Sequence, residues 1–236
     1  MIGILPAAGQ ATRIHGLPKW ALPIPDGYLL KWHIDGQKAA GCRLVTIGSR
    51  DTQSGDLLQS YAPNAGVYLA VRHDTMSATV MSAYDNLIDE IIKETDAYLF
   101  SMPDTYFDDA DAFCKLTAAL DDGADVAVGL FAAREGQRDG GMCAVSGNQV
   151  AEVIDKPASA NYMHMYPYIW GALAWRPAFW ELLDASEPHV GYALPRAIEA
   201  GLDVRAVVCE GGYWDCGTVS GYFALINHLT REAVTA

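Results

Sequence analysis

The sequence predicts a three-layer α/β/α fold on a mixed, mostly parallel central sheet. Short apolar runs alternate with longer amphipathic segments, the pattern of strands joined by crossover helices. Hydrophobic residues make up 51% and charged residues 19% of the 236. That is enough apolar side chain for a large core and too little charge for a disordered chain. Residues 141–155 break the alternation: two apolar runs flank Ser146-Gly147-Asn148, which reads as a hairpin with a Gly-Asn turn.

In chain order, strands are expected near Ile2–Pro6, Arg43–Gly48, Val67–Val71, Ala97–Met102 and Val126–Ala132. Helices are expected over Leu29–Ala40, Ser77–Glu94, Ala110–Leu120, Pro177–Asp184, Ala193–Ala200 and Ser220–Glu232. In the last of these, Tyr222, Phe223, Ile226 and Leu229 recur at helical spacing, which reads as core packing. No linker, repeat or low-complexity run divides the chain, so residues 1–236 are expected to form one domain.

Net charge is −13, against the basic face that a duplex nucleic-acid binder needs. Residues 1–50 nevertheless hold six basic side chains against Asp26 and Asp35, which points to one anion site or to a solvated cluster. No leader pattern and no run of about 20 apolar residues is visible. Five scattered cysteines without a CxxC pair fit a reducing cytoplasm with buried thiols, and argue against zinc.

Four segments carry candidate chemistry. After the first strand comes Ala7-Ala8-Gly9-Gln10-Ala11-Thr12-Arg13, then Pro18-Lys19. Small residues let backbone N–H groups approach a polyphosphate, and Arg13 and Lys19 add fixed positive charge. It is neither a Walker loop nor a GxGxxG fingerprint. The run Tyr98–Met102 delivers Asp104 at a strand end, where it either reaches a ligand or caps a following helix. Gly212-Tyr213-Trp214-Asp215-Cys216-Gly217-Thr218 precedes the last helix, with Asp215 as a second carboxylate or a turn residue. Val153-Ile154-Asp155-Lys156-Pro157 closes the hairpin.

In chain order the four segments resemble the boxes of sugar-1-phosphate nucleotidyltransferases, over residues 1 to about 225. Ala11 stands where the usual pattern has a second glycine, and Asp155 where it has Glu. The resemblance implies a Rossmann-like (GT-A-like) catalytic domain that binds an NTP and a sugar-1-phosphate. It implies Mg²⁺ held by Asp104 and Asp215, a hard cation suited to carboxylates. Ala7, Ala8, Gly9, Thr12 and Ser77 would hold the nucleotide; Gly141, Asp155, Lys156, Trp170 and Gly171 would hold the sugar phosphate. Arg13, Lys19 and Lys156 would be catalytic cations.

Met102-Pro103-Asp104-Thr105 is closest to the glucose-1-phosphate thymidylyltransferase branch, which implies dTTP or UTP as donor. The family's base-reading Gln has no counterpart in Arg72–Thr79. The aromatics around Trp170 could equally be core, and Met76 and Met81 read as core. Rival readings are a cytidylyltransferase acting on phosphocholine, a glycosyltransferase with an Asp-x-Asp pair (which Asp104-Thr105-Tyr106 lacks), and a non-catalytic nucleotide sensor. No membrane or nucleic-acid partner is expected, and association of identical chains stays open.

Overall fold

The computed structural model describes residues 1–9, 17–69, 74–85, 95–134, 140–155 and 165–235. The elements are β1 (Ile2–Pro6), β2 (Pro23–Ile24), β3 (Gly27–Tyr28), α1 (Leu29–Ala39), β4 (Leu44–Ser49), α2 (Thr52–Tyr61), β5 (Gly66–Leu69) and α3 (Met76–Asp85). Then follow β6 (Tyr98–Ser101), β7 (Thr105–Phe107), α4 (Ala112–Asp121), β8 (Val126–Ala132), β9 (Gly141–Ser146), β10 (Gln149–Asp155) and β11 (Tyr168–Trp175). The chain ends with α5 (Ala193–Glu199), β12 (Val204–Val208), β13 (Tyr213–Asp215) and α6 (Val219–Thr235).

Among the described residues nine strands form one sheet in the order β5-β4-β1-β6-β11-β8-β12-β10-β9. The pairings β4–β5, β1–β4, β1–β6 and β8–β12 are parallel, and the remaining ones are antiparallel. Only β10 and β11 therefore run against the other strands, as a mixed, mostly parallel sheet requires. The chain reverses its direction of travel across the sheet between β1 and β6, because β4 and β5 lie to one side of β1 and β6 to the other. That switch point opens a crevice at the carboxyl ends of β1 and β6.

Alternating side chains feed two cores. From β1, β6 and β8, the residues Ile2, Ile4, Tyr98, Phe100, Val126, Val128 and Leu130 meet α3 and α5 on one face. Leu5, Leu99, Ala127 and Phe131 meet α1, α2 and α4 on the other. In β11 the register against β8 shifts between Trp170 and Ala172. Gly171 is the extra residue of that bulge: a Cβ there would stand 2.9 Å from Phe131 and Tyr213 carbons. A smaller third core, Leu22, Ile24, Leu29, Cys216 and Leu225, ties β2 and the start of α1 to α6.

Several elements depart from expectation. Helix α2 was not anticipated, because residues 52–61 bury only Leu58; its start is made by Asp51, whose Oδ1 accepts from Ser54 N at 2.7 Å. Strand β12 and the three-residue β7 and β13 were missed too, the last two existing only through their pairing with each other. The expected helix 177–184 is a 3₁₀ turn, Pro177–Leu182, too short for an α-helix to propagate. The hairpin holds, with β9 and β10 flanking Gly147 at φ +62°. The end of the expected third strand, residues 70–71, and the end of the helix expected after it, residues 86–94, lie outside the described residues.

Candidate functional site

The segments that carry Asp104 and Asp215 meet. Strand β7 pairs antiparallel with β13, placing Asp215 opposite Thr105, and Cys216 N donates to Asp104 O at 2.9 Å. More than 100 residues of sequence are thereby closed into one turn-against-strand contact. Asp104 caps no helix: it sits in a turn that leads into β7, closed by Thr105 N and Thr105 Oγ1 donating to Met102 O. Asp215 Oδ1 accepts from Gly217 N at 2.6 Å, so it is both a turn residue and part of the pair. Tyr213, fully buried beside them, has its phenol pushed well above the ordinary value, first by burial and then by the charges of Asp215 and Asp104.

Lys19 joins this pair, its Nζ donating to Asp104 Oδ2 at 3.1 Å. It is held there because the next residue, Trp20, is buried in the core and stacks edge-on against Tyr61. The one-anion-site reading of the basic segment needs correction. Among the described residues Lys31 pairs with Asp35, Arg50 with Asp51, and Arg43 donates to Thr95. Lys19 alone of these reaches Asp104, because Lys31 lies on α1 and Arg43 and Arg50 flank β4.

Ala7, Ala8 and Gly9 follow β1 at the switch point, with Ala7 N donating to Gly48 O at 2.9 Å and Gly9 exposed. Among the described residues a Cβ on Gly9 would meet nothing within 4 Å. Ser77 lies in the first turn of α3, fully buried, its hydroxyl without a partner among the described residues. Met76 and Met81 pack against the core as expected. Thr12, Arg13 and Lys156 lie outside the described residues.

The sugar-site candidates form a second group. Cα register sets Gly141 opposite Asp155. Strand β6 pairs with β11 only from Ala172 onward, and β9 takes the same edge at Tyr168 and Ile169. The edge of β11 is therefore split at Trp170–Gly171, where the turn carrying Asp104 leaves β6. Gly171 packs against Tyr213, next to the carboxylates. Trp170 itself is 4% exposed, with its ring in the core between Gly141 and Gly191. Its Nε1 has no partner among the described residues.

A Cβ on Gly141 would overlap that indole nitrogen, and the neighbour is rigid and buried. Gly141→Ala should therefore lower stability by about 1–3 kcal/mol through overpacking, measured as a drop in denaturant midpoint. Unchanged stability would mean that the indole swings clear.

Sequence reasoning missed His33. Residues Leu29, Leu30, His33, Ile34 and Gln37 of α1 are all buried, and two polar residues on that apolar stripe were the available signal. It also missed the support of Trp214, whose ring lies under the Arg134 guanidinium at 3.4 Å and stacks on His228 at 4.6 Å. Four cysteines, Cys42, Cys143, Cys209 and Cys216, have thiols pushed up to about 12, chiefly by burial, which argues against thiolate chemistry.

The order of the sheet, with its reversal between β1 and β6, is that of the nucleotidyltransferase fold, which the similar solved structures share. It belongs to the MobA-like NTP transferase family, whose domain model matches residues 3–200. Among solved structures it is similar to a UDP-glucose pyrophosphorylase complexed with UDP-glucose, at TM-score 0.77 and 16% identity over 98% of each chain. A Bacillus anthracis protein provisionally described as a glucose-1-phosphate thymidylyltransferase aligns at TM-score 0.78 and 13% identity, over 97% of this chain and 95% of that one. A UTP-bound enzyme of the first kind from Acinetobacter baumannii gives TM-score 0.73 and 15% identity, over 96% and 92%. No curated protein sequence matches significantly. No helix among the described residues is long and apolar enough to cross a membrane.

Proposed function

We propose that residues 1–236 form one catalytic domain that transfers a nucleoside monophosphate from an NTP to a sugar-1-phosphate and releases pyrophosphate. The observation that carries this reading is that the turn after β6 which bears Asp104 pairs with the strand of Asp215 and receives the Lys19 ammonium on Asp104. UTP or dTTP is the favoured donor and glucose-1-phosphate the favoured acceptor, in line with what the similar structures are described as binding or acting on. A cytoplasmic setting accords with five free cysteines.

Asp104 and Asp215 fit Mg²⁺. They are hard oxygen donors. Two carboxylates would hold such an ion, which commonly keeps waters and binds substrate phosphates as well. When bound it supplies neutralisation of phosphate charge. The acceptor phosphate is already anionic, so the protein needs no general base; its work is positioning and charge stabilisation. Lys19 sets a positive charge beside the reacting phosphate. The small-residue backbone of Ala7–Gly9 receives the triphosphate, with Ser77 on the base side. Gly141, Asp155 and Gly171 form the sugar side, with the Trp170 ring packed behind them. Arg13 and Lys156 are assigned to the leaving pyrophosphate and the sugar phosphate.

The test is a pyrophosphate-release assay with Mg²⁺, the common NTPs and a set of hexose-1-phosphates, with phosphocholine as a separate arm. Turnover with a sugar phosphate is the expected result. Turnover with phosphocholine alone would replace the acceptor class. Binding of an NTP without any pyrophosphate would make the chain a nucleotide sensor.

A further inference from the structure

A buried chain of side chains runs from α1 to the turn that bears Asp104. Gln37 Nε2 donates to Ser101 Oγ at 3.1 Å, Ser101 Oγ lies 2.8 Å from His33 Nδ1, and His33 Nε2 lies 2.8 Å from Thr105 O. His33, Gln37 and Ser101 are each fully buried. Polarity follows from the end of the chain. A carbonyl oxygen only accepts, so His33 Nε2 carries the proton. In a neutral ring Nδ1 must then accept, which makes the Ser101 hydroxyl its donor. That hydroxyl's oxygen in turn accepts from Gln37. Burial first of all lowers the His33 pKa to about 4, which keeps the ring neutral and the direction single.

We infer that His33 is a positioning residue: a neutral imidazole, fixed as the Nε2–H tautomer, that holds the Thr105 carbonyl and so aims the neighbouring Asp104 carboxylate. The Met102–Thr105 turn is gripped three ways, by Thr105 donating to Met102 O, by Cys216 N on Asp104 O, and by His33 on Thr105 O. Of these only His33 reaches the turn from α1. At the far end Gln37 Oε1 is buried without a hydrogen-bond partner among the described residues. A Cβ on Gly3 of β1 would overlap Gln37 Oε1, so the glycine makes room for the amide. The chain therefore lies under the switch point, joining α1, β6 and β7. The catalytic readout of this inference rests on the transferase reading above; its structural readout does not.

Two measurements test it. The first is ¹⁵N NMR of the imidazole in the wild-type chain between about pH 5 and 8, the usual range of histidine titration. The expected spectrum has one protonated nitrogen, Nε2, and one bare nitrogen, Nδ1, throughout. A proton on Nδ1, or fast exchange between tautomers, overturns the inference.

The second compares His33→Gln, which can keep a donor near Nε2, with His33→Asn and His33→Leu, which cannot. Gln should keep turnover within about 3-fold of wild type, whereas Asn and Leu should lower kcat roughly 10- to 100-fold with KM for the NTP nearly unchanged, the signature of lost transition-state alignment. Equal loss in all three variants reduces His33 to a packing residue and overturns the inference. Amide exchange at Cys216 gives the same comparison without turnover: faster in Asn and Leu, and unchanged in Gln. If wild type releases no pyrophosphate, the transferase reading alone fails, and the exchange and tautomer data decide His33.

Discussion

Replacing either carboxylate of the pair with its amide, Asp104→Asn or Asp215→Asn, should lower pyrophosphate release on the order of 10²- to 10³-fold, as removal of one preorganised charge-stabilising group does. The fold should survive. Asp104 is 25% exposed on its side chain and its partner Lys19 17%, so their ion pair is partly screened and adds little stability. An asparagine can still accept from Lys19, and at 215 it can still accept from Gly217 N. What disappears is negative charge where a cation and two phosphates would meet. Because the two side chains act as one unit, the double variant should be barely slower than either single one. Steady-state rates with saturating NTP, alongside circular dichroism, check this. Full activity in both single variants would remove the pair from the chemistry.

Acid should weaken the fold in a step that belongs to His33. Its pKa is held at about 4 in the folded chain against an ordinary 6.5, chiefly by burial, with the Thr105 carbonyl and the Asp104 charge pulling the other way. The unfolded chain therefore takes up the proton first as pH falls. The neutral histidine's full contribution is present above about 6.5, declines down to about 4, and changes no further below that. The loss is on the order of 3 kcal/mol.

Carboxylates held below their ordinary range act in a lower window. Burial raises Asp109, but Lys115 and the Glu210 amide bring it down overall; Asp203 is lowered first by Gln149 and also by Arg205. Their stabilisation is lost only as pH falls below about 3.8. Urea midpoints between pH 7 and 4 should thus fall steeply in wild type and stay nearly flat in His33→Gln, which cannot titrate. Parallel curves for the two proteins would assign the acid loss to another group.

Local chemistry was legible where one short segment settles it. Ile2–Pro6 and Val126–Ala132 were read to the residue, because an uninterrupted apolar run bounded by turn formers has few other outcomes. The Gly147 turn announced its hairpin. The boxes around Lys19, Asp104 and Asp215 were visible because each keeps its residue types within about ten positions.

Helix α2 was not legible, because with Gly55 and a single buried leucine its pattern carries almost no apolar period. Trp170 shows a different failure. An aromatic in a strand reads the same whether it faces ligand or core, and only packing between two glycines put its ring inside.

The amino-acid order by itself determined which strands and turns could form and which charges stood ready at their ends, since backbone conformation and side-chain type are properties of neighbours. Tertiary structure alone decided that Asp215 lies against Thr105 and that a histidine of the first helix holds the same turn. Those contacts come from strand register and crossover geometry, which are selected by the burial of whole faces and leave no mark at the positions they bring together.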